Sequence, residues 1–124
     1  MNIETDFLVI GSGIAGLCFA LKAAEHGHVM IVTKGELGEC NTDYAQGGIA
    51  SVMYEPDTFE KHIHDTLVCG AGICDLAAVE QVVKNAPTVI KQLIQWGTKF
   101  DKDATGRYDL NREGGHSEHR ILHH

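Results

Sequence analysis

A glycine-rich motif near the start of the sequence has the spacing of a dinucleotide-binding loop. It reads Gly11-Ser12-Gly13-Ile14-Ala15-Gly16. In such a loop the first glycine permits a tight turn, the second lets a pyrophosphate approach the backbone, and the third lets the following helix pack close to a strand. The N-terminus of that helix would stabilise the phosphate charge. The motif predicts a dinucleotide site, and the alternative is a glycine turn with a purely structural role.

The residues around this motif predict the strand-helix-strand unit that it requires. Residues 6–10 form a short apolar run, as expected for a parallel strand buried on both faces. Apolar residues then recur at helical spacing from Ile14 to about His26, and Gly27 supplies a stop signal. A second β-rich run at 28–33 completes the unit. We therefore predict an α/β fold that begins with a partial Rossmann-like βαβ unit.

The central part of the chain predicts a long loop followed by a helix. Residues 34–56 contain four glycines, too many for a helix interior, and a short strand is expected only at 49–53. Asp57 is a plausible N-cap with Glu60 three residues later, and apolar spacing then continues to Gly70.

Two further helical segments and a polar tail are expected after residue 70. Asp75 can cap a segment over 76–86, and Pro87 suits the first turn of another helix that stops at Gly97. From Lys99 onward the composition is typical of turns.

Charge and composition exclude several classes of protein. There are 17 acidic and 10 basic side chains, for a formal charge of −7, and no basic cluster that would bind nucleic acid or an anionic membrane. Neither a signal peptide nor a membrane-spanning run is visible, so we interpret the protein as cytoplasmic. The four cysteines form no CxxC pair, and we expect them to be reduced.

The end of the second predicted strand departs from the standard NAD fingerprint. That fingerprint expects an acid there to hold the adenosine ribose, but this sequence has Thr33-Lys34. A hydroxyl could still bond a ribose and an ammonium could face phosphate, while Lys34 could equally be a solvated loop residue.

Three sequence segments together resemble those of a known family. The glycine loop, Thr33-Lys34-Gly35 and Asn41-Thr42-Asp43-Tyr44-Ala45-Gln46-Gly47-Gly48-Ile49-Ala50 resemble the succinate dehydrogenase and fumarate reductase flavoprotein superfamily. The resemblance implies FAD as cofactor, with the Ala-Gln-Gly-Gly segment beside the flavin. The cofactor-binding residues that it implies are Gly11, Ser12, Gly13, Ile14, Ala15, Gly16, Thr33, Lys34, Asn41, Thr42, Asp43, Tyr44, Ala45, Gln46, Gly47 and Gly48.

Two more segments are similar to the L-aspartate oxidase branch of that superfamily. They are residues 65–75 and Arg112-Glu113-Gly114-Gly115-His116-Ser117. Covalent relatives carry a flavin-linking histidine where this chain has Asn41, so the resemblance implies non-covalent FAD. Respiratory relatives carry an apolar residue where this chain has Glu113, whose carboxylate could orient a substrate ammonium. Without the resemblance, Glu113 would be interpreted as pairing with Arg112, Arg120 or water.

The resemblance implies oxidation of L-aspartate to iminoaspartate, with oxygen or fumarate as acceptor, in NAD biosynthesis. It also implies that residues 1–124 are the N-terminal part of an FAD-binding domain. The remainder of that domain, a capping domain and a C-terminal helical domain would lie beyond residue 124, so we expect no catalytic residue here and no activity from these residues alone. The alternatives are a soluble fumarate reductase or succinate dehydrogenase flavoprotein, and a non-catalytic nucleotide-binding module.

Two further expectations concern metal and association. His116, His119, His123 and His124 lie close in sequence, and the first two could share a helical face, but no nearby cysteine or second acid completes a shell, so we predict no metal site. An open strand edge and exposed apolar helix faces predict that the isolated chain self-associates.

Overall fold

The computed structural model describes residues 2–45 and 47–124. These two stretches belong to separate compact units, Met1–Gln46 and Gly47–His124. The glycine-rich motif lies in the first unit, and all three helical segments predicted after residue 56 lie in the second.

The first unit is a strand-helix-strand unit. Strand β1 spans Phe7–Ile10, helix α1 spans Ile14–Ala23 and strand β2 spans Val29–Val32. The two strands pair in parallel, with Phe7 opposite Val29 and Ile10 opposite Val32. The predicted βαβ unit is therefore confirmed, with strand limits within one residue of the sequence-based ones.

Two details of this unit differ from the prediction. Within the described residues β1 is covered on one face only, because Val9 is buried under α1 whereas Leu8 and Ile10 are exposed. Helix α1 ends three residues early, and Gly27 does not adopt the left-handed conformation of a helix stop. A glycine is required at position 27 for another reason. A Cβ there would lie 2.6 Å from Oδ2 of Asp6, which accepts a hydrogen bond from the His28 amide.

The second unit contains a small antiparallel sheet. Strand β3 spans Ile49–Ala50, β4 spans Leu110–Asn111 and β5 spans Ile121–Leu122, in the order β3-β5-β4. The central strand β5 is almost entirely buried. The strand predicted at 49–53 is thus shorter than expected, and β4 and β5 were missed because two-residue strands carry no periodic pattern.

Helix α2 begins one residue later than predicted. It spans Phe59–Cys69, and its N-cap is Thr58, whose hydroxyl accepts a hydrogen bond from the Lys61 amide. Asp57 is not the cap, because its carboxylate pairs with the buried guanidinium of Arg120.

Helix α3 spans Leu76–Gln95 without interruption, so the prediction of two separate helices was wrong. Asp75 caps it as predicted, and Gly97 follows it with a φ of +107°. Pro87 lies inside the helix, although proline removes a backbone donor. The apolar residues Val83 and Ile90 are buried on either side of it, so packing holds both halves of the helix to the same core.

Candidate functional site

The turn between β1 and α1 is built around Gly11. Its φ of +105° lies in the left-handed region, where a side chain would be strained. Its amide donates a 2.8 Å hydrogen bond to the carbonyl of Val32, which ties the turn to the end of β2. The glycine therefore fixes where the chain leaves the strand pair and enters α1.

Gly16 allows the first turn of α1 to contact this turn directly. A Cβ at this position would overlap the carbonyl oxygen of Gly11 and lie 3.4 Å from Cγ1 of Val9. Neighbouring backbone cannot yield as a flexible side chain can, so only glycine fits. This geometry matches the close helix-strand packing that the third glycine of the motif serves.

Gly13 differs because the surrounding protein does not require a glycine there. A Cβ would meet only Oγ1 of Thr42, at 3.7 Å, which is an ordinary contact distance. The residue is the N-cap of α1, has extended backbone and provides no side-chain cap. Space is thus left beside the backbone at the positive end of the helix, where an anionic group could approach.

A cleft of about 390 Å³ opens beside these glycines. Its size is within the range of small-molecule sites. The residues that line it are Ile10, Gly11, Ser12, Gly13, Val32, Thr33, Lys34, Glu39, Cys40 and Asn41. The structure therefore brings six of the predicted cofactor residues together around one cavity. Glu39 and Cys40, which were not predicted from the sequence, also line it.

The side chains at the end of β2 have different environments. The hydroxyl of Thr33 closes a turn by donating to the carbonyl of Gly35 and accepting from its amide, at 2.7 and 3.1 Å. Lys34 is exposed and lines the cleft. The carboxylate of Glu39 also lines it and accepts a hydrogen bond from the Tyr44 hydroxyl. An acid thus reaches this cleft from the following loop, a position that no local sequence pattern identifies.

The other predicted residues of the first unit flank the cleft. The hydroxyl of Thr42 accepts a hydrogen bond from the Ile14 amide at 3.1 Å and so takes one of the free donors at the start of α1. Asp43, Tyr44 and Ala45 are exposed and follow in a turn. Gln46 lies outside the described residues.

The two glycines that begin the second unit have separate roles. A Cβ at Gly48 would overlap the Ile121 side chain and the carbonyl of Leu122, so this residue lets the chain pack against β5. A Cβ at Gly47 would meet nothing within 4 Å. The open side of Gly47 fits the interpretation that a flat group can lie against the backbone there.

Glu113 lies in an exposed turn of the second unit. The amide of His116 donates to the carbonyl of Glu113 at 3.2 Å, and Gly115 has a φ of +84°. The Glu113 side chain is 51% exposed, and its Oε1 lies 3.6 Å from Nε2 of His123. Glu113 does not pair with Arg120, because that guanidinium binds Asp57 and Asp65.

Arg120 is fully buried at the centre of an ion-pair cluster. It donates two hydrogen bonds to Asp57, at 2.8 and 2.7 Å, and a third to Asp65 at 2.7 Å. Asp65 also accepts from the amide and the hydroxyl of Ser117, both at 2.8 Å. No sequence pattern predicts this cluster, since Asp57 and Arg120 are 63 residues apart.

The cluster shifts the pKa values of Asp65 and of the neighbouring His62. Partial burial acts to raise the pKa of Asp65, but hydrogen bonds from Ser117 and Arg120 outweigh it and lower the pKa to about 2. Burial, followed by the charge of Arg120, lowers the pKa of the neighbouring His62. At neutral pH the carboxylate of Asp65 is therefore ionised, and the imidazole of His62 beside it is neutral.

The C-terminal histidines are placed by separate contacts. Nδ1 of His116 lies 3.3 Å from Arg120, and its ring lies 5.6 Å from the His62 ring. Nδ1 of His119 lies 2.9 Å from the carbonyl of Leu110. The residues around them form no helix, so the helical face suggested for His116 and His119 does not exist. Among the described residues, no group of three or more potential ligands could hold a metal ion.

Comparison with known proteins assigns the chain to a family. The model of the FAD binding domain family matches residues 6–124. The chain belongs to this family. FAD is therefore its cofactor, and the open backbone at Gly13 beside the cleft fits such a group.

Individual relatives agree with this assignment. The chain is 50% identical over 123 residues to an L-aspartate oxidase from Yersinia pestis, covering 96% of this chain and 23% of the relative. It is 49% identical over 118 residues to a chloroplastic L-aspartate oxidase from rice, Oryza sativa, covering 95% and 18%. The chain thus spans about a fifth of the length of these relatives.

A solved structure shows the same fold. A quinol fumarate reductase flavoprotein from E. coli superposes with a TM-score of 0.88 at 31% identity, covering 97% of this chain and 21% of that one. The fold is the FAD-binding domain fold of succinate dehydrogenase and fumarate reductase flavoproteins, with mixed α/β content. No helix within the described residues is long and apolar enough to span a bilayer.

Proposed function

We propose that this chain is the N-terminal, Rossmann-like part of the FAD-binding domain of a longer flavoenzyme that oxidises L-aspartate to iminoaspartate. The observation that carries the proposal is the identity of about half of its residues to L-aspartate oxidases over 95% of the chain. The remainder of the FAD-binding domain, a capping domain and a C-terminal helical domain follow in that enzyme. Oxygen or fumarate reoxidises the flavin, and the product enters NAD biosynthesis.

The glycine turn and the start of α1 hold the pyrophosphate of FAD in this proposal. Gly13 leaves room beside the backbone, and the amides in the first turn of α1 provide donors and positive potential. Lys34 and Glu39, on the wall of the cleft, provide a cation and an acid for the adenosine half. The bound flavin supplies the two-electron chemistry, and the residues of this chain bind and orient it.

The flavin is held without a covalent bond. Asn41 lines the cleft and stands where covalent relatives carry the linking histidine. A carboxamide has no nucleophilic nitrogen for attack on the flavin ring, so Asn41 can contribute hydrogen bonds only. Gly47, with open space on its Cβ side, lets the ring lie against its backbone.

Glu113 recognises the substrate ammonium in this proposal. Its carboxylate is half exposed, and among the described residues the one ionisable group recorded within 4 Å of it is His123, at 3.6 Å, so the carboxylate is available to a ligand. The ammonium is the group that distinguishes aspartate from succinate. A charge-assisted hydrogen bond to it contributes on the order of 1.5 to 3 kcal/mol.

The second candidate function is a soluble fumarate reductase or succinate dehydrogenase flavoprotein. The likeness to quinol fumarate reductase, with a TM-score of 0.88, is consistent with this candidate but does not favour it over aspartate oxidation. Asn41 and Glu113 disfavour it, because respiratory relatives carry a linking histidine and an apolar residue at these positions.

Steady-state assays of the full-length protein with aspartate, succinate and fumarate test the proposal. We expect aspartate oxidation in the parent, and we expect Glu113→Gln to lower kcat/KM for aspartate roughly 30-fold or more, from a loss of about 2 kcal/mol. Fumarate reduction is expected to stay within about tenfold. The control is Glu80→Gln, the same charge change at an exposed site on α3. Succinate oxidation without aspartate oxidation would instead support the second candidate.

The isolated chain is proposed to self-associate. Leu8 and Ile10 on β1 are 58% and 82% exposed, and Val82 on α3 is 69% exposed. Apolar surface of this kind rarely stays in water as a large patch. Light scattering of the isolated 124 residues tests this, and a monomer at high concentration would contradict it.

A further inference from the structure

Four consecutive residues of the loop that carries Glu113 are held by one face of helix α2. We define the Glu113 loop as residues 112–120. Each of Gly115, His116, Ser117 and Glu118 contacts a different side chain of α2. The four partners, spaced as one helical face, are Cys69, His62, Asp65 and Lys61.

These contacts differ in strength. The thiol of Cys69 lies 3.6 Å from the Gly115 carbonyl, a weak contact. The 2.6 Å pair between Lys61 and Glu118 is partly solvated, and exposed pairs of this kind contribute little. Asp65 is different, because its side chain is only 11% exposed and it accepts three hydrogen bonds from the loop, two from Ser117 and one from Arg120.

Arg120 fixes Asp65 in place. Its guanidinium binds both Asp65 and Asp57, so the carboxylate has one orientation toward the loop. The backbone of Arg120 is fixed as well, since its amide donates to Asn111 and its carbonyl accepts from Ser51. The far end of the Glu113 loop is therefore anchored by both its main chain and its side chain.

The position of Glu113 depends on this anchor through the backbone. Its own side chain is half exposed, and its Oε1 lies 3.6 Å from Nε2 of His123, which is too far for a hydrogen bond, so its side chain is held only weakly. The turn hydrogen bond from the His116 amide to the Glu113 carbonyl ties it to the residue beside Ser117. A shift at Ser117 would thus move Glu113 with it.

We propose that Asp65, oriented by Arg120, is a positioning residue that sets the place of the Glu113 carboxylate and with it the discrimination between aspartate and substrates without an ammonium. The inference rests on the proposed function for its substrate. It assigns a role to a residue that does not itself touch the substrate. Gly115 lies close to α2, because a Cβ there would lie 2.6 Å from Sγ of Cys69, and one of the two would have to move.

The first test measures the loop directly, in the full-length flavin-loaded protein, by amide hydrogen exchange. Asp65→Asn removes the charge, and Ser117→Ala is a milder variant that leaves the Arg120 cluster intact. We expect exchange over residues 113–117 to accelerate about tenfold in Asp65→Asn and measurably in Ser117→Ala. The matched control is Asp75→Asn, where asparagine can still cap α3. Unchanged exchange in both variants would overturn the inference.

The second test measures specificity. We expect Asp65→Asn to raise KM for aspartate about tenfold and KM for fumarate less than about twofold. In a Glu113→Gln background the same substitution is expected to change KM for aspartate less than about twofold, because the two residues act through one contact. Equal effects on both substrates, or independent effects in the double variant, would refute the positioning role. Failure of the parent to oxidise aspartate would refute the proposed function instead, and the exchange measurement would still decide whether Asp65 holds the loop.

Discussion

Replacing Arg120 by methionine is expected to destabilise the second unit severely. The guanidinium is fully buried and makes three short hydrogen bonds to two carboxylates. In Arg120→Met the Asp57 carboxylate, which is 2% exposed, would lose its charged partner without gaining water. Removal of one partner from a buried ion pair typically costs about 3 to 5 kcal/mol. Because small domains have about 5 to 15 kcal/mol in total, this loss is a large part of the stability.

Urea unfolding of the 124-residue chain, followed by tryptophan fluorescence, measures this loss of stability. Trp96 is the only tryptophan of the chain and lies at the C-terminal end of α3, in the same unit as Arg120. With a slope of about 1 to 3 kcal/mol per molar urea, a loss of this size lowers the midpoint by at least about 1 M. Lys84→Met, which removes the exposed pair to Glu80, is the control and is expected to cost less than about 1 kcal/mol.

A compensating variant separates the ion-pair explanation from loss of packing. Asp57→Asn and Asp65→Asn remove the carboxylate charges that Arg120→Met leaves behind. If unpaired charge causes the loss, the triple variant recovers much of the stability of Arg120→Met. The ion-pair explanation is refuted if Arg120→Met unfolds at the same urea concentration as the Lys84→Met control. It is also refuted if the triple variant is no more stable than the single one.

The remaining predictions concern the cofactor and pH. Gly16→Ala is expected to disrupt the turn and flavin retention together, whereas Gly13→Ala is expected to leave the circular dichroism spectrum unchanged while lowering the flavin content of the purified full-length protein. Because burial and the nearby guanidinium lower the pKa of His62 below 6.5, the unfolded chain binds its proton first, and stability measured by urea midpoints is expected to fall below about pH 6.5. A further loss is expected between about pH 4 and 2, where Asp65 with its pKa of about 2 remains ionised only in the folded state. With Asn41 in place of a linking histidine, acid precipitation of the full-length protein is expected to release all of its flavin, and fluorescence that stays with the denatured protein would contradict this.

Local signals in the sequence were sufficient to predict the strands, the helix and the glycine turn of the first unit. The apolar run of β1, the helical spacing of α1 and the glycine motif between them are contiguous, and each depends on residues within a few positions. The glycines of that motif adopt the geometry that the motif implies, with Gly11 in the left-handed region and Gly16 against the turn. The cap at Asp75 was predictable for the same reason, since a cap involves only the next three residues.

Features that depend on residues distant in the sequence could be recognised only in the folded structure. Pro87 predicts a helix start, yet burial on both sides of it keeps α3 continuous. Asp57 has the sequence context of a helix cap, but a hydrogen bond to a buried guanidinium 63 residues away holds it instead. Two-residue strands such as β5 exist because neighbouring strands satisfy their backbone groups, not because of any pattern of their own. The energy of such contacts depends on burial and geometry that are absent from the linear sequence, so the support of the Glu113 loop by α2 became visible only in the folded chain.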